Sequence, residues 1–133
     1  MNIQDSRYCL MVLALLLSFS AARGAIDYVD GGAGDDSRAG TGGWSDALQT
    51  ITNALAKASV GSEIWVKSGI YKPSVDDRER SFEMKHGVDL YGGFAGTETS
   101  RDQRDWDANP TILSGELGDP GMMDDNSRHV VIG

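Results

Sequence analysis

Short apolar runs, each ending in or next to glycine, recur along the second half of the chain. The runs are Glu63–Val66, Val88–Gly93, Thr111–Gly115 and His129–Gly133. Apolar and polar residues alternate within them, which predicts β-strands with one buried face. Aligned on their apolar residues, the runs lie 24, 23 and 18 residues apart. A strand and a turn repeating near every 20 residues favours a β-solenoid, because a single unit cannot bury its own apolar face. An ordinary small β-rich domain is the alternative.

One amphipathic helix is predicted before these strands, after a first strand at Ile26–Asp30 and a glycine-rich loop. Asp46 and Gln49 have the spacing of a capping pair, and Gly61 ends the segment. The apolar residues of one helix face follow at intervals of three and four; they are Leu48, Ile51, Leu55 and Ala58. Lys57 is the one cation on the polar face, so a core-facing or capping helix is favoured over a membrane-surface helix.

The first 24 residues have the pattern of a secretory signal peptide. Cys9–Phe19 is an almost unbroken apolar run, and the small residues of Ser20–Gly24 suit signal peptidase. The run is shorter than the roughly 20 residues that span a bilayer, and an uncleaved anchor is the alternative. Cleavage could follow Ala22 or Gly24; we favour Gly24 and predict export to the medium or the cell surface. Residues 25–133 would then form one domain without a transmembrane span.

Charge and cysteine usage narrow the classes of partner. Of 20 acidic and 12 basic side chains, only Asp5, Arg7 and Arg23 lie in the signal segment, so the exported part is strongly acidic. Nucleic acid needs a positive surface and is not expected as a partner. The single cysteine, Cys9, also lies in the signal segment. The exported part is therefore expected to have neither a disulfide nor a thiolate metal site.

Several segments together resemble a known family. In chain order they are Tyr28–Asp30, Gly43–Ala47, Ile64–Pro73, Leu90–Thr99, Arg104–Trp106 and Pro110–Gly115. This order is similar to the start of secreted right-handed parallel β-helix proteins of the pectate-lyase-like superfamily, close to relatives of the polymorphic outer-membrane proteins. The resemblance implies an all-β fold in which the helix caps the N-terminal end. It also implies that residues 25–133 hold the first three to four rungs of a truncated solenoid.

Candidate binding residues are few. Trp65 and Tyr91 take the outward phase of their strands if the alternating apolar residues point inward. They are predicted as a weak platform for sugar rings, and burial under the long polar loops is the alternative. Gly31–Asp36 matches the opening of one calcium-binding nonapeptide repeat. Because such sites need a second stacked copy, a flexible loop is favoured over a calcium site, and no cofactor is expected.

No catalytic constellation stands out in the sequence. The carboxylates lie mostly in loops among arginines, which is typical of a solvated surface, and His86 and His129 lie outside any nucleophile motif. We therefore expect an exported scaffold without enzymatic activity in this segment, adhesin-like or binding extracellular polysaccharide or cell-surface components. The alternative is the leading part of a polysaccharide lyase or glycoside hydrolase with catalytic rungs beyond residue 133. Whether the whole protein is an enzyme stays open.

Overall fold

The computed structural model describes residues 24–133, so the predicted signal segment lies outside it except for its last residue. Within these residues the structure has seven short strands and one α-helix. In chain order the elements are β1 (Ile26–Val29), α1 (Ile51–Lys57), β2 (Glu63–Lys67), β3 (Gly69–Tyr71), β4 (Phe82–Glu83), β5 (Asp89–Phe94), β6 (Thr111–Leu113) and β7 (Val131–Ile132). Two 3-10 turns lie at Trp44–Asp46 and Arg101–Gln103.

The described strands form three small parallel sheets. One sheet has the order β1-β2-β5, the second pairs β3 with β6, and the third pairs β4 with β7. In the three-stranded sheet Tyr28, Trp65 and Tyr91 lie in register on neighbouring strands. Parallel strands cannot be joined by a tight hairpin, so long segments connect them. The functional candidates lie on β2, on β5 and in the segment between β5 and β6.

The predicted right-handed parallel β-helix is wrong. The prediction placed the four apolar runs in one repeating stack, but the structure divides their strands among three sheets: β2 and β5 pair together, β6 pairs with β3, and β7 pairs with β4. The strands have only two to six residues, and the domain is a small mixed α/β unit in which the expected rungs are not formed. The spacing of apolar runs located strands, but it carries no information about which strands pair.

The helix begins later in the chain than the capping pair predicted. Thr50 is its N-cap and accepts a hydrogen bond on its hydroxyl from a first-turn amide at 3.2 Å. Asp46 belongs instead to the preceding 3-10 turn, and its carboxylate accepts from two loop amides at 3.0 and 3.1 Å. Leu48 precedes the helix and bridges to Val29 of β1. The short polar residues therefore organise the loop before the helix as well as its first turn.

The apolar face of α1 packs against β1, β2 and β4, as a core-facing helix should. The largest fully buried side chains of the domain are Val29, Leu48, Ile51, Ile64, Val66, Phe82 and Phe94. The outer edge of β1 is also covered, because Tyr28 and Asp30 exchange backbone hydrogen bonds with Gly40 and Leu48 at 2.8–2.9 Å. This covering removes one free strand edge from the domain. Within residues 24–133, none of the helices combines the length and apolarity that crossing a bilayer requires.

Candidate functional site

Trp65, one of the two predicted sugar-platform residues, lies inside the domain. Its side chain is only 2% exposed. Its ring stacks on Phe94 with centroids 4.8 Å apart, and Tyr28 meets it edge-on at 5.6 Å. Its indole N–H donates to the Glu63 carboxylate at 2.8 Å. Neither face of the Trp65 ring is open to a sugar, so Trp65 and Tyr91 do not form a joint platform.

The side of the sheet that carries Trp65 is covered by Trp44 and by the loop that follows β5. The Trp44 ring lies 5.6 Å from Phe94, and its indole N–H donates to the Glu98 carbonyl at 3.0 Å. The Glu98 carboxylate in turn accepts hydrogen bonds from the amides of residues 95–97. Burial alone would raise the pKa of Glu98, but these amide hydrogen bonds lower it below its ordinary value. An ionised Glu98 therefore holds the loop over the aromatic cluster.

Tyr91 is partly exposed and is surrounded by arginines. The guanidinium carbon of Arg101 lies 4.7 Å from the centroid of the Tyr91 ring, and that of Arg104 lies 5.1 Å away. Arg101 donates to the Tyr91 hydroxyl and to the Glu63 carboxylate, each at 2.9 Å. These contacts fix the orientation of the ring and combine cation–π with hydrogen-bonding interactions.

Trp106 continues this surface from the segment between β5 and β6. Its side chain is 63% exposed, and the guanidinium carbon of Arg104 lies 5.4 Å from its ring centroid. Arg104 is thus within cation–π distance of both Tyr91 and Trp106. We define the aromatic–arginine surface as Tyr91, Arg101, Arg104 and Trp106. Sequence reasoning found Tyr91 in this surface but did not single out the other three as binding residues. In the sequence, the one indication of this surface was Trp106, an aromatic residue between charged loop residues.

Two open cavities adjoin the part of the aromatic–arginine surface formed by Arg104 and Trp106. The first, of about 420 Å³, is lined by Gly92, Gly93, Arg104, Trp106, Pro110 and Thr111. The second, of about 390 Å³, is lined by Tyr91, Arg101, Asp102, Arg104 and Trp106. Both cavities have Arg104 and Trp106 in their lining, so they are neighbours, and we call the two together the groove. Their volumes fall within the range usual for small-ligand pockets.

Gly93 explains how the segment with Trp106 comes so close to the sheet. It has a φ of +91°, and a Cβ at this position would lie 3.0 Å from the Trp106 backbone. Its carbonyl accepts from the Asp105 amide at 2.8 Å, and its amide donates to the Thr111 hydroxyl at 3.1 Å. A side chain at Gly93 would be strained and would push Trp106 away. The groove therefore depends on a glycine within β5.

Gly31–Asp36 is the glycine-rich segment that resembles a calcium-binding repeat. Its carboxylates accept hydrogen bonds from other groups of the protein. Asp35 accepts from the amide and hydroxyl of Ser37 at 2.8 and 2.7 Å. Asp36 accepts from the amides of Gln49 and Thr50 at 2.9 and 3.0 Å, which ties the loop to the start of α1. Among residues 24–133, no group of three or more histidine, cysteine, aspartate or glutamate side chains is placed to hold a metal ion.

The comparisons with known proteins supply no relative from which a function could be transferred. No family model matches the chain, no curated protein matches it, and no solved structure matches it. The family resemblance therefore stays a prediction from the sequence. The geometry of the aromatic–arginine surface is therefore the basis for assigning a function.

Proposed function

We propose that this chain is an exported, non-enzymatic carbohydrate-binding domain that acts outside the cell or at its surface. The sugar would lie along the aromatic–arginine surface, with a ring face against Trp106. The observation that carries the proposal is the large exposed indole of Trp106 beside Arg104, at the border of two adjoining cavities.

The chemistry of this surface suits a sugar. The flat apolar face of an indole matches the C–H face of a pyranose ring, and a large exposed aromatic supplies contact area with few rotatable bonds. Guanidinium groups donate several hydrogen bonds in fixed directions, which matches a ligand rich in hydroxyl oxygens. Arg101 and Arg104 both border the second cavity, and Asp102 adds a carboxylate acceptor there. Apolar contact and orienting polar groups thus occur together.

Export is the second element of the proposal. The apolar run and the small residues within residues 1–24 support secretion. The acidic composition and the lack of cysteine after the signal segment are compatible with life outside the cell. A secreted binding domain would meet polysaccharides of a cell surface or an extracellular matrix.

The direct test is isothermal titration calorimetry on protein produced from the full chain. The probes are gluco-, manno- and galacto-hexasaccharides, each as the neutral sugar and as its C6-oxidised acidic counterpart. We expect at least one probe to bind, and Trp106→Ala to weaken that binding at least tenfold, as loss of a central aromatic anchor does.

The matched control is Val75→Ala, which removes an exposed apolar side chain from a loop outside the groove. Circular dichroism spectra and melting curves of both variants check that the fold is retained. Failure of all six probes to bind, or equal binding by Trp106→Ala and the parent protein, would refute the proposed function.

A further inference from the structure

Arg104 and Arg101 differ in the partners of their guanidinium groups. Arg101 forms an ion pair with Glu63 at 2.9 Å. For Arg104, the hydrogen bond seen among the described residues is a 3.3 Å donation to the Gly92 carbonyl, and the ion pairs found there do not include it. A guanidinium has five N–H donors, so most of those on Arg104 are free to bind a ligand.

The two aromatic rings hold this guanidinium in place. Its carbon lies 5.1 Å from the Tyr91 centroid and 5.4 Å from the Trp106 centroid. A side chain positioned in this way loses little conformational freedom when it binds a ligand, which favours affinity. Arg104 is therefore a preorganised cation, whereas a lysine at the same place would be a mobile point charge.

The first cavity contains no carboxylate that would compete for Arg104. Its lining consists of Gly92, Gly93, Arg104, Trp106, Pro110 and Thr111, so Arg104 is its one charged residue. The second cavity is bordered by Asp102, which would repel an anion. Asp105 follows Arg104 in the sequence, and one of its carboxylate oxygens accepts hydrogen bonds from the amides of residues 107 and 108. An anionic group on a ligand is therefore best placed in the first cavity, between β5 and the start of β6.

We propose that the carbohydrate is acidic and that its carboxylate pairs with Arg104 in the first cavity. This inference rests on the proposed function and specifies its ligand class. A carboxylate accepts two parallel N–H bonds from a guanidinium, and such pairs are stronger than bonds between neutral groups. Trp106 supplies the ring contact, and Arg104 selects for charge.

The test compares each C6-oxidised hexasaccharide with its neutral counterpart, because the two differ only in carboxylate against hydroxymethyl. We expect the acidic member of the bound pair to bind about tenfold more tightly at low salt, and this preference to shrink as salt is added. Arg104→Gln should weaken binding of the acidic sugar about tenfold more than binding of the neutral sugar, and so abolish the preference. Arg104→Lys should retain part of it.

Arg128→Gln is the matched control. It removes the same unit of charge from an exposed arginine that is paired with Glu79 and borders neither cavity. We expect this variant to keep the preference for the acidic sugar, since the effect is local. Equal loss in Arg128→Gln and Arg104→Gln would show that net charge alone is responsible, and would overturn the inference.

The remaining outcomes separate the two proposals. If acidic and neutral sugars bind equally, and Arg104→Gln weakens both alike, the surface binds carbohydrate but the acidic ligand class is wrong. If a sulfated hexasaccharide, added as a further probe, binds through Arg104 more tightly than the carboxylated one, the carboxylate assignment is overturned. If no sugar binds at all, the proposed function fails together with this inference.

Discussion

The carboxylates of Asp27, in β1, and Asp30, just after β1, should have opposite effects on the stability of the folded protein. Asp27 is 3% exposed and lies on the same side of β1 as Val29. Burial raises the pKa of Asp27, and the positive charge of Lys57 offsets only part of that rise. The ionised form therefore weakens the folded state at neutral pH. We expect Asp27→Asn to stabilise the protein there.

Asp30 is the matched comparison because it is also buried but has strong partners. One carboxylate oxygen pairs with the Lys67 ammonium at 2.9 Å, and the other accepts from two loop amides at 2.9 and 3.0 Å. Burial acts to raise the pKa of Asp30, but these bonds outweigh it and leave the pKa below its ordinary value. Asp30→Asn keeps one acceptor oxygen and loses the charge, so it should destabilise the protein.

The magnitudes follow from these contacts. Hydrogen bonds to a charged group contribute about 1.5–3 kcal/mol, so Asp30→Asn should cost about 2 kcal/mol. Lys67 remains 33% exposed and can be rehydrated, which keeps the loss near this value. Asp27→Asn removes a buried charge and should raise the free energy of unfolding by about 1 kcal/mol. This is the lower end of the cost of burying an unpaired polar group.

Urea unfolding followed by far-ultraviolet circular dichroism measures both effects. With a typical urea dependence of about 1–3 kcal/mol per molar, the Asp30→Asn midpoint should fall by about 1 M at pH 7. The Asp30 contribution is present above its unfolded pKa, near 3.8, and is lost as pH falls through the lower folded value. The loss caused by Asp30→Asn should therefore shrink in acid.

The Asp27 effect has the opposite pH dependence. Because its folded pKa is raised, the stability of the parent protein falls as pH rises from 3.8 through that higher value. The gain from Asp27→Asn should appear above this range and vanish below pH 3.8. A destabilised Asp27→Asn variant at pH 7, or equal effects of the two substitutions, would refute this account of the two carboxylates.

Three further substitutions test the packing and the loop contacts. Leu55→Ala should cost about 2–5 kcal/mol in thermal unfolding because it leaves a cavity between α1 and the sheets, whereas the exposed Val60→Ala should change little. Thr50→Ala removes the N-cap of α1 and should cost about 1 kcal/mol; an unchanged melting temperature would contradict the capping role. Glu98→Gln removes the ionised acceptor of three loop amides and should accelerate hydrogen exchange at residues 95–97 more than elsewhere, and uniform exchange rates would argue against it.

The sequence was informative about local structure and not about strand partners. Alternation located β2 and β5 within one or two residues, because a half-buried strand needs an apolar residue at every second position. The two-residue strand β4 has no such pattern, so alternation does not predict it. Pairing is set by contacts distant in the chain, so the common spacing of the runs led to the wrong fold class.

The candidate site was predictable only in part for a similar reason. Alternation separates the two faces of a strand but does not say what covers the second face. Trp65 and Tyr91 share an outward phase, yet Trp44 and the loop held by Glu98 close over only the first of them. Trp106 was visible in the sequence, but its position beside Tyr91 depends on the close approach of its segment to Gly93.

The fluorescence of the chain's three tryptophans can report folding and ligand binding separately. Trp65 is buried in an aromatic stack, Trp44 is partly buried and hydrogen-bonded, and Trp106 is largely in water. Their fluorescence should therefore differ in emission wavelength and in quenching by acrylamide, which should reach Trp106 first. A ligand that covers Trp106 should protect the red-shifted, quenchable fraction and leave the blue-shifted emission of Trp65 to report unfolding. A single unlabelled sample can then distinguish a variant that has lost its ligand from one that has lost its fold.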